Sequence, residues 1–216
     1  LTTARVRRPA PAAARPNGSG SREEILRAAA ELFMEFGYAA TSLDAVAERL
    51  GSTKGRIYHH YRSKADLFID VQVAAMKRLQ AAVEPIARGP GTAVERLTAM
   101  ALRHTVILLT DLPMQKVAVQ GLERHLLANQ PAVRRLRSVI RMRDDYEGLF
   151  AEVIDEGIRE GALIDLPPQL ATKPFFGAMN WATVWYSQRR LQGDQAIQEI
   201  ARTLADCATR GLMRTL

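Results

Sequence analysis

"GSTKGRIYHHYRSK", residues 51–64, sets Lys54, Arg56, Arg62 and Lys64 among aromatic rings and contains no acidic residue. With Arg49 just upstream, residues 49–64 carry five basic side chains and no carboxylate. A solvated helix face normally mixes signs, so a one-sided run asks for a partner of negative charge. Ile57 and Tyr61, four residues apart, share one face of a short helix that starts near Thr53. Upstream, Leu43, Val46, Ala47 and Leu50 fall at i, i+3, i+4 and i+7, and "TSLD" (41–44) offers a cap for this second short helix. Gly51 closes it. Two short helices joined by a glycine-containing turn, the later one basic, spell a helix-turn-helix.

Working outward, "SREE" at 21–24 reads as a capping box on Ser21 and Glu24. Ile25, Ala28, Ala29, Leu32, Phe33 and Phe36 follow at helical spacing, and Gly37 supplies a stop. "SKAD" at 63–66 opens a longer helix with Leu67, Phe68 and Val71 on its apolar face, ending near Pro85. Residues 21–66 thus read as a three-helix domain containing the helix-turn-helix, and 67–216 as a larger helical domain. In the latter, "TAVE" (92–95) caps a helix to about Thr110 and "DLP" (111–113) breaks it. Pro131 opens a long segment to Glu160; further helices span Pro168 to about Leu191 and Asp194 to Leu212. No segment alternates with period two or carries hairpin chemistry, so the fold class is all-α. Residues 1–20, with four arginines and three prolines, read as a flexible basic arm.

The 216 residues are 47% hydrophobic and 25% charged with net charge +7, a soluble globular composition with a leaning toward polyanions. Cys207 is the single cysteine, which excludes an internal disulfide and makes a reducing cytoplasm the expected compartment. No apolar run approaches the roughly 20 residues that span a bilayer, so no membrane partner is expected. His104 and His125 lack a Cys/His/Asp set at ligand spacing and are read as structural; no metal and no cofactor are expected. "NGSG" is not a phosphate loop, since no strand precedes it and no Lys-Ser/Thr follows. Nothing resembles a nucleophile elbow or a Cys–His signature, and the chain is not expected to be an enzyme.

If Ile57 and Tyr61 face the core, the outer face of the basic helix is left to Thr53, Lys54, Gly55, Arg56, Tyr58 and His59, beside the helix N-terminus. Gly55 removes a side chain where the backbone would approach DNA. Arg56 can bond two acceptors of guanine, while Lys54 and Lys64 are placed to neutralise phosphates. The anion expected from this arrangement is duplex DNA. The stretch from Ser21 to Phe68, with "F..GY..TS...VA..LG" and "KG.IYHHY.SK..LF", resembles the amino-terminal domain of TetR-family transcriptional repressors. The resemblance implies an all-helical homodimer that binds a palindromic operator and is released by a small ligand. Carried over by position, it implies that Thr53, Lys54, Gly55, Arg56, Tyr58, His59 and Lys64 face DNA, with Thr41 and Ser42 near a phosphate. Arg56 stands where many relatives have a small Ser or Thr.

Further along, "FFGAMNWATVWYSQRR" (175–190) puts five aromatic residues in one segment. Phe175 and Met179 are expected in the core, and Trp181, Val184, Trp185 and Gln188 on a face that meets another chain. The last helix has a continuous stripe including Ile197, Ile200, Ala201, Leu204, Ala208 and Leu212. Two such helices per chain would make a four-helix interface with two-fold symmetry, its candidates being Val184, Gln188, Ile200 and Leu204. The "GAMNW..VWY" element resembles a TetR subgroup linked to fatty-acid, sterol and acyl-CoA catabolism, with Pro174 departing from the common pattern. That resemblance implies a pocket between the long helix and this one that admits an acyl-CoA. Asn180, Trp181, Trp185 and Tyr186 are its candidate wall, and Arg137 and Arg141, on one face with Arg134, its candidate phosphate site. The other readings are a small helical enzyme acting on acyl thioesters and a constitutive dimeric DNA-binding protein.

Overall fold

Gly51 sits at φ 57°, the left-handed conformation that favours glycine. Its amide donates to the Glu48 carbonyl and that of Ser52 to the Ala47 carbonyl, both at 2.9 Å. This double closure ends a helix and reverses the chain in the fewest residues. The computed structural model describes residues 18–119, 130–187 and 193–214. Around the turn lie α1 (Gly18–Ala40), α2 (Leu43–Arg49), α3 (Lys54–His60) and α4 (Lys64–Ala87). Ser42 caps α2 by accepting from the Ala45 amide at 3.1 Å, and Ser63 caps α4 by accepting from the Asp66 amide at 3.1 Å. The helical course of α1 breaks at Gly37 (φ 78°, ψ 169°), as its glycine predicts. At the other end the chain is already helical at Gly18, so Ser21 lies inside the helix and not at its cap.

The remaining helices are α5 (Ala93–Thr110), α6 (Leu112–Val119), α7 (Gln130–Arg159), α8 (Pro168–Asn180), α9 (Ala182–Trp185) and α10 (Asp194–Arg210). Among the described residues there is no strand, only one isolated antiparallel bridge between Leu163 and Met213. Thr92 and Glu95 form the reciprocal capping box of α5. Two boundaries fall within two residues of expectation and a third differs. α4 runs through Pro85 to Ala87, because a proline in the last turn forfeits only one bond. The "DLP" break is a single turn at Asp111, after which Pro113 sits in the first turn of α6, where its missing N–H costs nothing. The aromatic segment runs unbroken through Pro174 but divides at Trp181 and ends at Trp185. There the Val184 amide reaches only three residues back, to the Trp181 carbonyl at 2.9 Å.

Two apolar cores meet along α4. Its first half gives Leu67, Phe68, Val71 and Ala75 to a core with Ile25, Ala29, Phe33, Val46, Ile57 and Tyr61. Its second half gives Met76, Leu79, Val83 and Ala87 to a core with Leu97, Met100, Tyr146, Phe150 and Phe175. Burying each such large side chain contributes about 1.5–3 kcal/mol. The first core also takes in Met114, Val117 and Ala118 from α6 and Leu136 from α7. A division of the chain at residue 66 therefore falls in the first turn of a continuous helix. α10 lays Ile197, Ala201, Ala205 and Ala208 against α5 and α8, its small side chains letting the helices approach closely.

Candidate functional site

α3 is held by Ile57 and Tyr61, both buried, and exposes Thr53, Lys54, Gly55, Tyr58 and His59 on its outer side. Arg56 is half-buried. A Cβ added to Gly55 would meet nothing within 4 Å, so no packing within the chain requires glycine there. The acid-free run is not acid-free in space. Lys54 pairs with Asp44 at 2.5 Å, and the Tyr58 hydroxyl donates to the same carboxylate at 3.3 Å. Their contact lowers the pKa of Asp44 and raises that of Lys54. Arg56 pairs with Glu24 of α1 at 2.6 Å, and Arg49 with Glu31 and Glu35 at 3.4 and 2.7 Å. Arg62, absent from the expected DNA-facing set, is exposed and makes no ion pair among the described residues.

Two expected phosphate contacts have other occupations. The Thr41 hydroxyl is buried and donates to the carbonyls of Gly37 at 2.8 Å and Leu32 at 3.3 Å, closing the end of α1. Lys64 Nζ donates to the carbonyls of Tyr38 and Ala39 at 2.7 and 2.9 Å and lies 4.5 Å from the Tyr38 ring centroid. A lysine near a helix C-terminus complements its carbonyl dipoles, so Lys64 joins α4 to α1. Burial lowers its pKa. Ser42 is exposed, with its hydroxyl spent on the α2 cap.

A cavity of about 300 Å³ opens between α4, α5, α7 and α8, reaching Ala118 and Val119 at the end of α6. Met76, Leu79 and Phe176 are apolar walls, while Arg143, Glu147, Thr172, Lys173, Asn180, His104 and Tyr146 supply polar atoms. Glu147 is matched by Lys173 and the Thr172 hydroxyl. Arg143 donates to the Ala118 carbonyl and has no carboxylate within ion-pair distance among the described residues. Burial lowers its pKa.

The floor is a chain of three side chains. Asn180 Oδ1 lies 3.1 Å from His104 Nε2, and the Tyr146 hydroxyl 2.9 Å from His104 Nδ1. An amide oxygen only accepts, so Nε2 carries the proton and Nδ1 accepts from the tyrosine. Desolvation pushes the His104 pKa down to about 4, and the Tyr146 pKa rises for the same reason. The whole floor is neutral at pH 7.

Of the expected effector residues, Asn180 lines this cavity and the others do not. At 100° per residue, Arg137 and Arg141 stand about 120° and 160° round α7 from Arg143, and both are exposed. Arg135, beside them, pairs with Asp66 at 2.5 Å and with Asp70, tying α7 to α4. The break after Asn180 turns Trp181 and Trp185 outward, 63% and 49% exposed, and Tyr186 into a separate cluster with Leu109, Leu112 and Ile197. Sequence reading assigned Arg143 and His104 no part in a pocket. Their signals were an arginine on the apolar side of α7 and a histidine on the apolar face of α5, among Met100, Ala101, Ile107 and Leu108.

Among the dimer candidates, Val184 is 59% exposed and forms one stripe with Trp181 and Trp185. Ile200 and Leu204 are half-buried against Leu109, Leu112, Ala182 and Tyr186, because α10 turns that edge toward its own chain. Gln188 lies outside the described residues, as does His125. Pocket and stripe adjoin through one peptide bond, Asn180–Trp181.

Residues 25–71 match the family profile "Bacterial regulatory proteins, tetR family", and residues 90–212 match "Tetracyclin repressor-like, C-terminal domain". The HTH-type transcriptional repressor KstR2 of Rhodococcus jostii (strain RHA1) is 28% identical over 208 residues, 94% of this chain and 97% of that protein. The crystal structure of the TetR family transcriptional regulator PfmR from Thermus thermophilus superposes with TM-score 0.73 at 28% identity, covering 88% and 99% of the two chains. AibR in complex with isovaleryl coenzyme A and operator DNA shares the fold with TM-score 0.70 at 20% identity, covering 91% of this chain and all of that one (100%).

Proposed function

The chain belongs to the TetR family of bacterial regulatory proteins, and from that premise we propose that it is a homodimeric repressor released from a palindromic operator by an acyl-CoA. The observation that carries the effector reading is the α4–α5–α7–α8 cavity. It combines apolar walls, a neutral hydrogen-bonding floor and one arginine, Arg143, without a carboxylate partner among the described residues. The space bounded by the described residues holds roughly ten non-hydrogen atoms at about 30 Å³ each, enough for a short or medium acyl group and its thioester. Arg143 puts positive charge beside it that no carboxylate of the described residues cancels, which suits the phosphates of the coenzyme, whereas Lys173 is matched by Glu147. That AibR, of the same fold, is seen with isovaleryl coenzyme A supports the class of ligand.

Operator recognition falls to the exposed side of α3, with Lys54, Gly55, Tyr58 and His59 outermost and Arg56 released from Glu24 on contact. Arg62 adds a phosphate contact, and Thr53 and Ser42 flank the helix start. The Trp181–Val184–Trp185 stripe is the surface a second copy would cover, and dimerisation sets the spacing of the two recognition helices. The test is fluorescence anisotropy on DNA from upstream of the protein's own gene, titrated with acyl-CoAs, free acids and coenzyme A. Release by acyl-CoAs alone is the expected result. Release by planar aromatic or cationic compounds, with acyl-CoAs inert, would replace this reading with a drug-sensing repressor.

A further inference from the structure

We propose that the Asn180 side-chain amide is the specificity group of the cavity, donating an N–H to the carbonyl oxygen of the bound acyl group, with His104 and Tyr146 as positioning residues. This rests on the acyl-thioester reading above and goes one step further, to the atom being read. Asn180 is the last residue of α8 and faces the cavity, and its Oδ1 accepts from the proton-bearing Nε2 of His104. That contact fixes which way the carboxamide points. With the oxygen committed to His104, the nitrogen and its two hydrogens are left, and they make no hydrogen bond among the described residues.

His104 cannot rotate freely to undo this. It is 2% exposed and stacks on Tyr146 at 5.8 Å between centroids, with the Phe150 and Phe176 rings edge-on at 6.3 and 5.3 Å. Behind it the Tyr146 hydroxyl lies 2.9 Å from Nδ1 and, with the proton on Nε2, donates to that nitrogen. The order Tyr146 O–H to His104, His104 N–H to Asn180, Asn180 N–H to ligand runs in one direction and ends in a donor. A donor at the end of an uncharged chain selects an acceptor. The carbonyl of a thioester is one, and a methylene in the same position is not.

Hexanoyl-CoA and S-hexyl-CoA differ in that single group, so the two compounds isolate the contact. Calorimetric titration of the full-length protein should show hexanoyl-CoA binding about tenfold tighter, the size of a net hydrogen bond with its donor otherwise left unpaired. Asn180→Leu should bring the two affinities together. Tyr146→Phe should narrow the gap, because His104 can then take the other tautomer and the carboxamide can flip. Both variants should bind operator normally without ligand, which checks their fold, and the Tyr146→Phe ratio stands if Asn180→Leu does not fold. Equal binding of the two compounds by the unaltered protein, or a gap that survives Asn180→Leu, overturns the assignment while leaving the thioester effector intact. Binding of neither compound removes the thioester reading and this inference with it.

Discussion

Gly55→Ala separates what α3 needs for folding from what it needs for DNA. Gly55 is the second residue of α3, exposed, outside the left-handed region, and an added Cβ has open space around it. Alanine is the better helix former by up to about 1 kcal/mol, less in a first turn, so about 0.5 kcal/mol of stabilisation is expected. For a chain of this length that is a rise of roughly 1–2 °C in Tm. On the operator the sign reverses. If the α3 backbone approaches the groove at Gly55, the methyl group takes the space of a close contact, at a cost like that of a mismatched base pair, about 1–3 kcal/mol per half-site. Two half-sites in a dimer double it, a loss of at least roughly thirtyfold in affinity.

Scanning calorimetry and operator anisotropy at one fixed salt concentration measure the two effects on the same sample. Hexanoyl-CoA affinity should not move, since the cavity is distant from α3. A variant that is more stable and binds operator with full affinity refutes the placement of Gly55 at the DNA. A variant that is less stable refutes the claim that its packing is open.

Lys64→Ala should cost about 1–2 kcal/mol of stability through its lost carbonyl bonds, with the salt dependence of operator binding unchanged; a shallower salt slope in anisotropy would return Lys64 to the phosphates. Gln72 and Gln115 are fully buried and neither amide has a hydrogen-bond partner among the described residues. Gln72→Leu and Gln115→Leu should each raise stability by about 1–3 kcal/mol, and a lower urea midpoint would show those amides paired. Val184→Glu should yield a monomer by light scattering that no longer grips a palindromic site, and a persistent dimer would move the interface elsewhere. His104 has its pKa depressed to about 4, so the unfolded chain binds a proton that the fold refuses. Stability is then fully present above about pH 6.5 and declines toward pH 4 by up to about 1.4 kcal/mol per unit, and urea midpoints should lose that component in His104→Gln.

The helix-turn-helix was legible because every cue in it is local. A cap within 41–44, a glycine at 51, a stripe at 43, 46, 47 and 50 and a pair at 57 and 61 each follow from a few neighbouring residues, and each recurs in the structure, with Ser42 as the cap and Leu50 half-buried. Charge was the opposite case. The absence of acids from residues 49–64 is a fact about the chain, but Asp44, Glu24, Glu31 and Glu35 come from other turns of the fold and reach the same cations. The cavity was legible only at Asn180. Placing Trp181, Trp185 and Tyr186 beside it assumed one helix to about Leu191, and the division at Trp181 sends all three elsewhere. Choosing Arg137 and Arg141 over Arg143 followed the densest basic face of α7. On the proposed reading the arginine that matters is Arg143, turned to the apolar side, where charge is costly unless something answers it.

What joins the two halves is α4, and its contacts say how a ligand in the cavity can reach the operator. Lys64 at its start is bonded to the end of α1, Asp66 and Asp70 are tied to Arg135 of α7, Asp70 also takes Arg22 of α1 at 2.5 Å, and Met76 and Leu79 wall the cavity. From Leu79 back to Lys64 is about 22 Å of helix, so a tilt of about 6° at the cavity moves the α3 end by about 2 Å. In a two-fold dimer the two recognition helices move in opposite senses, and their spacing must match successive major grooves about 34 Å apart. Such a lever transmits only a difference in affinity. An acyl group that filled the cavity equally well in both positions of α4 would shift nothing, however tightly held. Taking the dimer from 99:1 to 1:99 requires about ten-thousandfold preference for the released state. By the same linkage the operator must weaken effector binding by the factor with which the effector weakens operator binding. On the proposed reading the polar floor would supply the means: Asn180 ends α8, Trp181 begins the surface that a second copy would cover, and a carbonyl held at the first would act one peptide bond from the second.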